Sequence, residues 1–193
     1  MGMIMELGPA TPRPDRPQVE DHAFELSNVK ALGILAGNRF WNMVTQMARP
    51  KFRDIFGDDL KMRGRASCGV DVGKGAASLG CLAPTGRTEL YLRKREGRPD
   101  QLRVRVSDGE LDLDLGITDL RIYGDDRFTP DANVIENTAR RLAAENDVVL
   151  SVGLTRPFSA SDEFPPLHWL QVNNIHFKDD AVWQLAVPAK VSS

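Results

Sequence analysis

The chain has 193 residues, 41% of them hydrophobic and 27% charged, with 25 Lys+Arg against 27 Asp+Glu for a net charge of -2. That length supports one large domain or two small ones with a real core. The near-balance of charge excludes a protein whose whole surface coats nucleic acid non-specifically.

No apolar run approaches the roughly 20 residues that cross a bilayer. The opening MGMIMELGPATPRPDRP has neither the basic region nor the apolar stretch of a signal peptide. Cys68 and Cys81 are too few for a disulfide scaffold and are expected as reduced, buried thiols of a cytoplasmic protein.

Residues 1–17 carry Pro9, Pro12, Pro14 and Pro17 and little to bury, so they are expected as a flexible leader. Phe24 to Leu35 suggests one or two strands around the Ser27-Asn28 turn signal, ending at Gly37-Asn38. Phe40, Trp41, Val44 and Met47 have the spacing of a short helix, which Pro50 interrupts, and Gly57-Asp58-Asp59 closes the segment.

From Lys61 the punctuation is that of a β protein. Strands are expected over 63–70, 77–83, 89–95, 102–106 and 111–122, separated by Gly/Pro/Asp turn clusters about ten residues apart. In Gln101 to Val106 the alternation places Leu102, Val104 and Val106 inward and Arg103 and Arg105 outward. One helix near 130–146 opens at Pro130-Asp131, with Val134, Ile135, Thr138, Leu142 and Ala143 on its apolar stripe. Strands at 148–154 and 168–177 follow, and Val182 onward holds a last apolar stretch and a tail. Short strands, turn-rich links and one helix point to small β-barrels, of which the five-stranded oligonucleotide-binding barrel is one, or to a sandwich.

Several constellations invite a chemical reading. Gly69-Val70-Asp71-Val72-Gly73-Lys74-Gly75 misses the Walker spacing by one residue and puts Gly75 where a Ser or Thr must bind magnesium, so it reads as a turn. Asp112, Asp114 and Asp119, with Glu110 and Asp108 nearby, offer hard oxygen ligands for a metal-dependent nuclease. The same alternation is also that of a solvated strand face. His168 and His176 would stand roughly 26 Å apart on one strand, too far for a shared metal. No zinc spacing and no nucleophile elbow is present.

The charge distribution says more than its sum. Arg87, Arg93, Lys94, Arg95, Arg98, Arg103 and Arg105 lie within one stretch, and the next, 108–126, is dominated by Asp and Glu. With Tyr91 beside them, Arg93, Arg95, Arg103 and Arg105 are a candidate strip for a phosphate backbone. The bland alternative is a solvated hairpin whose arginines pair with neighbouring acids. The late strand His168 to Phe177 is rich in amides, imidazoles and aromatics, and Arg156 would come near it if the last two strands pair; Arg156, Trp169 and Asn174 form a second candidate set.

Thr118-Asp119-Leu120-Arg121, the run Leu150 to Phe158 (LSVGLTRPF) and the run His168 to His176 (HWLQVNNIH) resemble the bacterial dual OB-containing domain, as does Ala76 to Leu82 (AASLGCL). The resemblance covers about 19–183, with its motifs concentrated after Arg63. It implies two fused OB-like barrels that bind nucleic acid, in proteins that include prophage and defence contexts, and it carries no catalytic residue.

The expectation is a mainly β protein of two OB-like barrels packed together, at 18–106 and 107–187, with a tail at 188–193. Its expected function is non-catalytic nucleic-acid binding through Tyr91, Arg93, Arg95, Arg103, Arg105, Arg156, Trp169 and Asn174, with no metal and no cofactor. The alternative is a protein-interaction or scaffold module whose partner is encoded by a neighbouring gene, meeting it at an exposed apolar patch near Trp41 or Trp183.

Overall fold

The computed structural model describes residues 3–97, 99–124, 126–159 and 165–180. The expectations placed on Arg98, on Trp183 and on the tail 188–193 lie outside these residues.

Residues 3–34 carry four short strands, β1 (Met3–Glu6), β2 (Ala10–Pro12), β3 (His22–Phe24) and β4 (Lys30–Ile34). β1 pairs antiparallel with β4, and β2 with β3, so part of the Pro-rich leader is built into ribbons. Between β2 and β3 a short strap lies on the body of the protein. Pro17 and Gln18 are buried there, Arg16 Nη1 donates to the Gly75 carbonyl at 2.6 Å, and Glu20 Oε1 accepts from Ser78 N and Oγ.

Two helices follow, α1 (Gly37–Met47) and α2 (Phe52–Phe56). Pro50 stands between them, where a missing N–H and a fixed φ break a helix. α1 buries Trp41 and Val44 against Val149. α2 drives Phe52 and Phe56 fully into the main core; burying each contributes on the order of 2–3 kcal/mol.

The rest is β5 (Lys61–Met62), β6 (Cys68–Asp71), β7 (Leu79–Leu82), β8 (Thr88–Arg93), β9 (Gln101–Ser107), β10 (Asp112–Gly116), α3 (Ala132–Ala144), β11 (Val148–Leu154) and β12 (Leu167–Phe177). They form a three-stranded meander, β8–β9–β10, and a five-stranded sheet in the order β5-β6-β12-β11-β7. The alternation of β9 turns Leu102, Val104 and Val106 inward, as the sequence predicts, and Leu113 and Leu115 of β10 join them. These side chains share one hydrophobic cluster with Val70, Leu150, Val152, Leu170 and Val172 of the larger sheet. Thr118 N donates to Val172 O at 3.0 Å, and Asp114 N to Ala66 O at 2.8 Å, linking the sheets at one side. α3 lies against β8 and buries Ile135 and Leu142.

The protein is therefore mainly β, and among the described residues its sheets do not close into a barrel. The boundary expected at 106/107 falls inside β9, before its last residue Ser107, and β9 pairs directly with β10. Strands from both sides of that boundary make the five-stranded sheet.

Two local features depart from simple alternation. The strand expected over 111–122 stops at Gly116, because Asp119 caps a 3-10 turn at Leu120–Ile122 by accepting from Arg121 N. In β12 the register slips where Ser151 faces Asn174 but Val152 faces Val172, leaving Asn173 as the extra residue of a bulge. The bulge turns Ile175 and Phe177 onto the core face already used by Leu170 and Val172.

α3 begins as the sequence predicts. Asp131 is its N-cap and accepts from Asn133 N at 2.9 Å and Val134 N at 3.2 Å, satisfying two of the amides that a helix start leaves unpaired.

Candidate nucleic-acid interface

The register of the meander decides which basic side chains come together. Tyr91 faces Arg103 across β8–β9, Glu89 faces Arg105 and Arg93 faces Gln101. Across β9–β10, Asp114 faces Arg105 and Gly116 faces Arg103. Inward positions are filled by Leu90, Leu102, Val104, Leu113 and Leu115, so the outer face carries Glu89, Tyr91, Arg93, Arg103, Arg105, Asp112 and Asp114. Basic and acidic stretches of the sequence are thus interleaved on one surface.

Arg103 is largely buried, and its Nε donates to Asp114 Oδ1 at 3.1 Å. Its Nη2 donates to the Asp114 carbonyl. Tyr91 donates its hydroxyl to Asp114 Oδ2 at 2.8 Å. Burial pushes the Tyr91 phenol up from its ordinary value, and the accepting Asp114 carboxylate adds to that by favouring the neutral donor. Arg103, Asp114 and Tyr91 are therefore a mutually satisfied network, with Arg103 holding position rather than presenting charge.

Arg105 behaves differently. Its guanidinium lies 4.5 Å from the Tyr91 ring centroid, its side chain is 59% exposed, and its carboxylate contact to Glu89 is long, at 3.5 Å. A guanidinium stacked on an aromatic face is held flat with its outer face open to solvent. Arg93 and Lys94 at the end of β8 are exposed and have no carboxylate within salt-bridge reach among the described residues. Arg95 lies beyond the strand, in the turn, with Nε donating to Pro99 O at 3.4 Å.

The second candidate set lies on other elements. Arg156 follows β11 and pairs with Asp21 of the strap at 2.9 Å. Thr155 N donates to Trp169 O, which brings Arg156 beside β12. The Trp169 indole donates to Phe158 O at 3.0 Å, and the two rings stand 6.2 Å apart. Asn174 sits at the β12 bulge, opposite Ser151. Arg156 and Trp169 are neighbours; no contact joins them to the Arg105 face among the described residues.

Lys94 and Arg87 were legible as members of the basic stretch but were not singled out as site residues. Arg87 is 82% exposed, with its guanidinium 3.5 Å from Glu89. Phe158, half exposed beside Trp169, stood in the sequence only as the end of the LSVGLTRPF run.

Of the three aspartates, Asp119 and Asp114 are committed elsewhere, while Asp112 is exposed. Asp119 is 1% exposed and bound to Arg121 and to Ile175 N, and Asp114 is held by Arg103 and Tyr91. No group of three His, Cys, Asp or Glu is placed to hold a metal among the described residues. Gly75 N donates to Asp59 Oδ2 and its carbonyl is taken by Arg16, so the glycine loop at 69–75 is filled by the protein's own groups.

Ser151 Oγ lies 2.8 Å from His176 Nε2, the spacing of a nucleophile and its base. The ring of Phe40 of α1 packs at a 58° tilt against the imidazole, centroids 5.4 Å apart, and His176 is 5% exposed. Burial pushes the neighbouring Cys81 thiol up, against a weaker lowering by Ser151, so this cluster holds no activated sulfur. It joins β11 and β12 to α1.

No family model, no curated protein and no solved structure matches the chain.

Proposed function

We propose that this chain is a non-catalytic module that binds single-stranded nucleic acid along the β8–β9 hairpin and the outer face of β9 and β10. The observation that carries the reading is the Arg105 guanidinium stacked on Tyr91 and left 59% exposed. A base can stack on the open side of such a plane while the charge engages phosphate. Arg93 and Lys94 extend the positive charge toward the hairpin tip, and Arg103 with Asp114 fixes the tyrosine beneath Arg105.

The order of elements supports the same reading. A three-stranded meander, a helix and a strand pair succeed one another over 88–177. That succession suits an OB-like unit, and such units bind oligonucleotides on the face of their second and third strands and at the first hairpin loop. The two-barrel arrangement belongs to this proposal, with β5–β7 and the short helices as the remainder of the other unit.

The test is fluorescence anisotropy with labelled single-stranded DNA and RNA at low salt. A variant combining Arg93→Ala, Lys94→Ala and Arg105→Ala should lose roughly tenfold or more in affinity with an unchanged melting curve. Absence of binding by the parent, or parental affinity in the variant, contradicts the proposal.

A further inference from the structure

β8 is an edge strand of the meander, and α3 lies against it without pairing to it. Ser107 N donates to Arg87 O at 3.2 Å, and the bonding of an antiparallel pair alternates residue by residue. Glu89 and Tyr91 therefore bond to β9, while Thr88 and Leu90 turn their backbone N–H and C=O toward the open edge. These edge groups have no hydrogen-bond partner among the described residues.

Between that edge and α3 lies a cleft of about 650 Å³, lined by Thr88 and Leu90 of the strand and by Leu142 and Ala143 of the helix. Thr88 is 9% exposed, and its buried hydroxyl has no hydrogen-bond partner. Buried polar groups are normally satisfied, so this hydroxyl and the open backbone groups beside it suit a ligand that both donates and accepts. The cleft has no surplus of positive charge. Its one lining cation, Arg87, stands 3.5 Å from Glu89, and Glu145 is bound to Arg141. An uncharged group therefore fits it better than a phosphate or a carboxylate.

The cleft adjoins the basic strip. Glu89 is the cross-strand partner of Arg105, so the row from Arg105 to Glu89 runs toward the open edge of β8, one strand spacing of about 5 Å away. Arg87 and Glu89 line both the cleft and the hollow around Arg105 on the outer face. A single strand that crosses the meander from β9 to β8 therefore arrives at the cleft. We infer that the cleft receives one unstacked base of the bound single strand. This inference rests on the reading of the strip as a nucleic-acid interface and adds an uncharged contact to it. The edge of a base carries donors and acceptors, which the Thr88 hydroxyl and the β8 backbone answer. Its faces are apolar, which suits the Pro84 and Leu142 side chains.

An oligonucleotide without bases separates the two kinds of contact. Anisotropy of the full chain at low salt compares homothymidylate of about 12 nucleotides with an abasic chain of equal length. Ala143→Trp fills the cleft from an exposed helix position. It should cost roughly tenfold in affinity for homothymidylate and leave affinity for the abasic chain within about twofold of the parent's. Thr88→Val removes the hydroxyl and keeps the shape, and should cost roughly fivefold on homothymidylate alone. Thr88→Ser should bind as the parent does. Thr88→Val should melt no lower than the parent, because the hydroxyl bonds nothing in the free protein. Neither cleft variant should change the slope of log K against log salt, since no phosphate contact is lost. A parent that binds neither chain contradicts the strip, and the inference falls with it. A parent that binds homothymidylate with a steep salt slope, while Ala143→Trp binds as the parent does or loses equally on both chains, overturns the inference and leaves the strip standing.

Discussion

Asp119 Oδ2 accepts the backbone N–H of Ile175 at 3.0 Å while the same carboxylate holds the Arg121 guanidinium at 2.9 and 2.6 Å. Arg121 in turn donates to the Ile175 carbonyl. One buried ion pair therefore ties the turn after β10 to the strand beyond the β12 bulge. Removing one partner of a buried pair leaves the other charge uncompensated, which costs about 3–5 kcal/mol. Asp119→Ala should lower the urea midpoint accordingly. Magnesium should change neither protein's midpoint, and a magnesium-dependent gain in the parent would return Asp119 to the role of a ligand.

Arg103 and Arg105 stand two residues apart on β9 and should separate stability from binding. Arg103→Ala removes charged hydrogen bonds to Asp114 and should destabilise the protein by roughly 2 kcal/mol. Arg105→Ala loses an exposed, weakly paired charge and should change stability by less than about 0.5 kcal/mol, while weakening nucleic-acid binding. Thermal melts and anisotropy on the two single variants measure this split. Equal effects of both variants on both properties would contradict it.

A methyl group added at Gly80 would stand 2.3 Å from Ile55 Cγ2. The strand β7 and helix α2 approach closely only because position 80 has no side chain. Gly80→Ala should destabilise by about 1–3 kcal/mol through overpacking. In the double variant with Ile55→Ala the two costs should sum to less than their separate values, a coupling that a double-mutant cycle reads directly.

Burial pushes the Cys68 thiol up to about 11 from its ordinary 9.0, with Asp108 adding to the rise and Arg53 and Arg63 opposing it. Below pH 9 the thiol is neutral in both folded and unfolded chains, so its contribution to stability is complete. Between about 9 and about 11 the unfolded chain loses the proton first, and stability falls as pH rises. Urea midpoints from pH 8 to 10.5 should decline more steeply for the parent than for Cys68→Ala. Identical slopes would show that the site does not hold the thiol neutral.

The sequence made some of this plain and hid the rest for physical reasons. Helix α3 was legible because Asp131 caps it and its apolar stripe repeats. β9 was legible because Leu102, Val104 and Val106 alternate without interruption. The face assignments in β12 were not, since a bulge at Asn173 shifts the side-chain parity that period-two reading assumes. In the sequence Asp119 stood with Asp112 and Asp114 as one more acid of a possible metal cluster. The chain leaves the strand at Gly116, and the turn carries Asp119 inward to Arg121. Of the basic strip, the sequence located the hairpin but not the pairing. Register alone distinguishes Arg103, committed to Asp114, from Arg105, stacked on Tyr91. Of the ribbons, β4 was legible in the apolar run from Phe24 to Leu35, while β1 and β2 were hidden because the prolines of residues 1–17 resemble an unstructured leader when no partner strand is in view.

The most direct test of the binding face is the salt dependence of affinity for a single-stranded oligonucleotide. Each phosphate neutralised contributes about -0.7 to the slope of log K against log salt on single strands. The parent should show a steep negative slope. The variant combining Arg93→Ala, Lys94→Ala and Arg105→Ala should be shallower by about 2, from three lost phosphate contacts. A flat slope for the parent, or an unchanged slope in the variant, would contradict the assignment of this face.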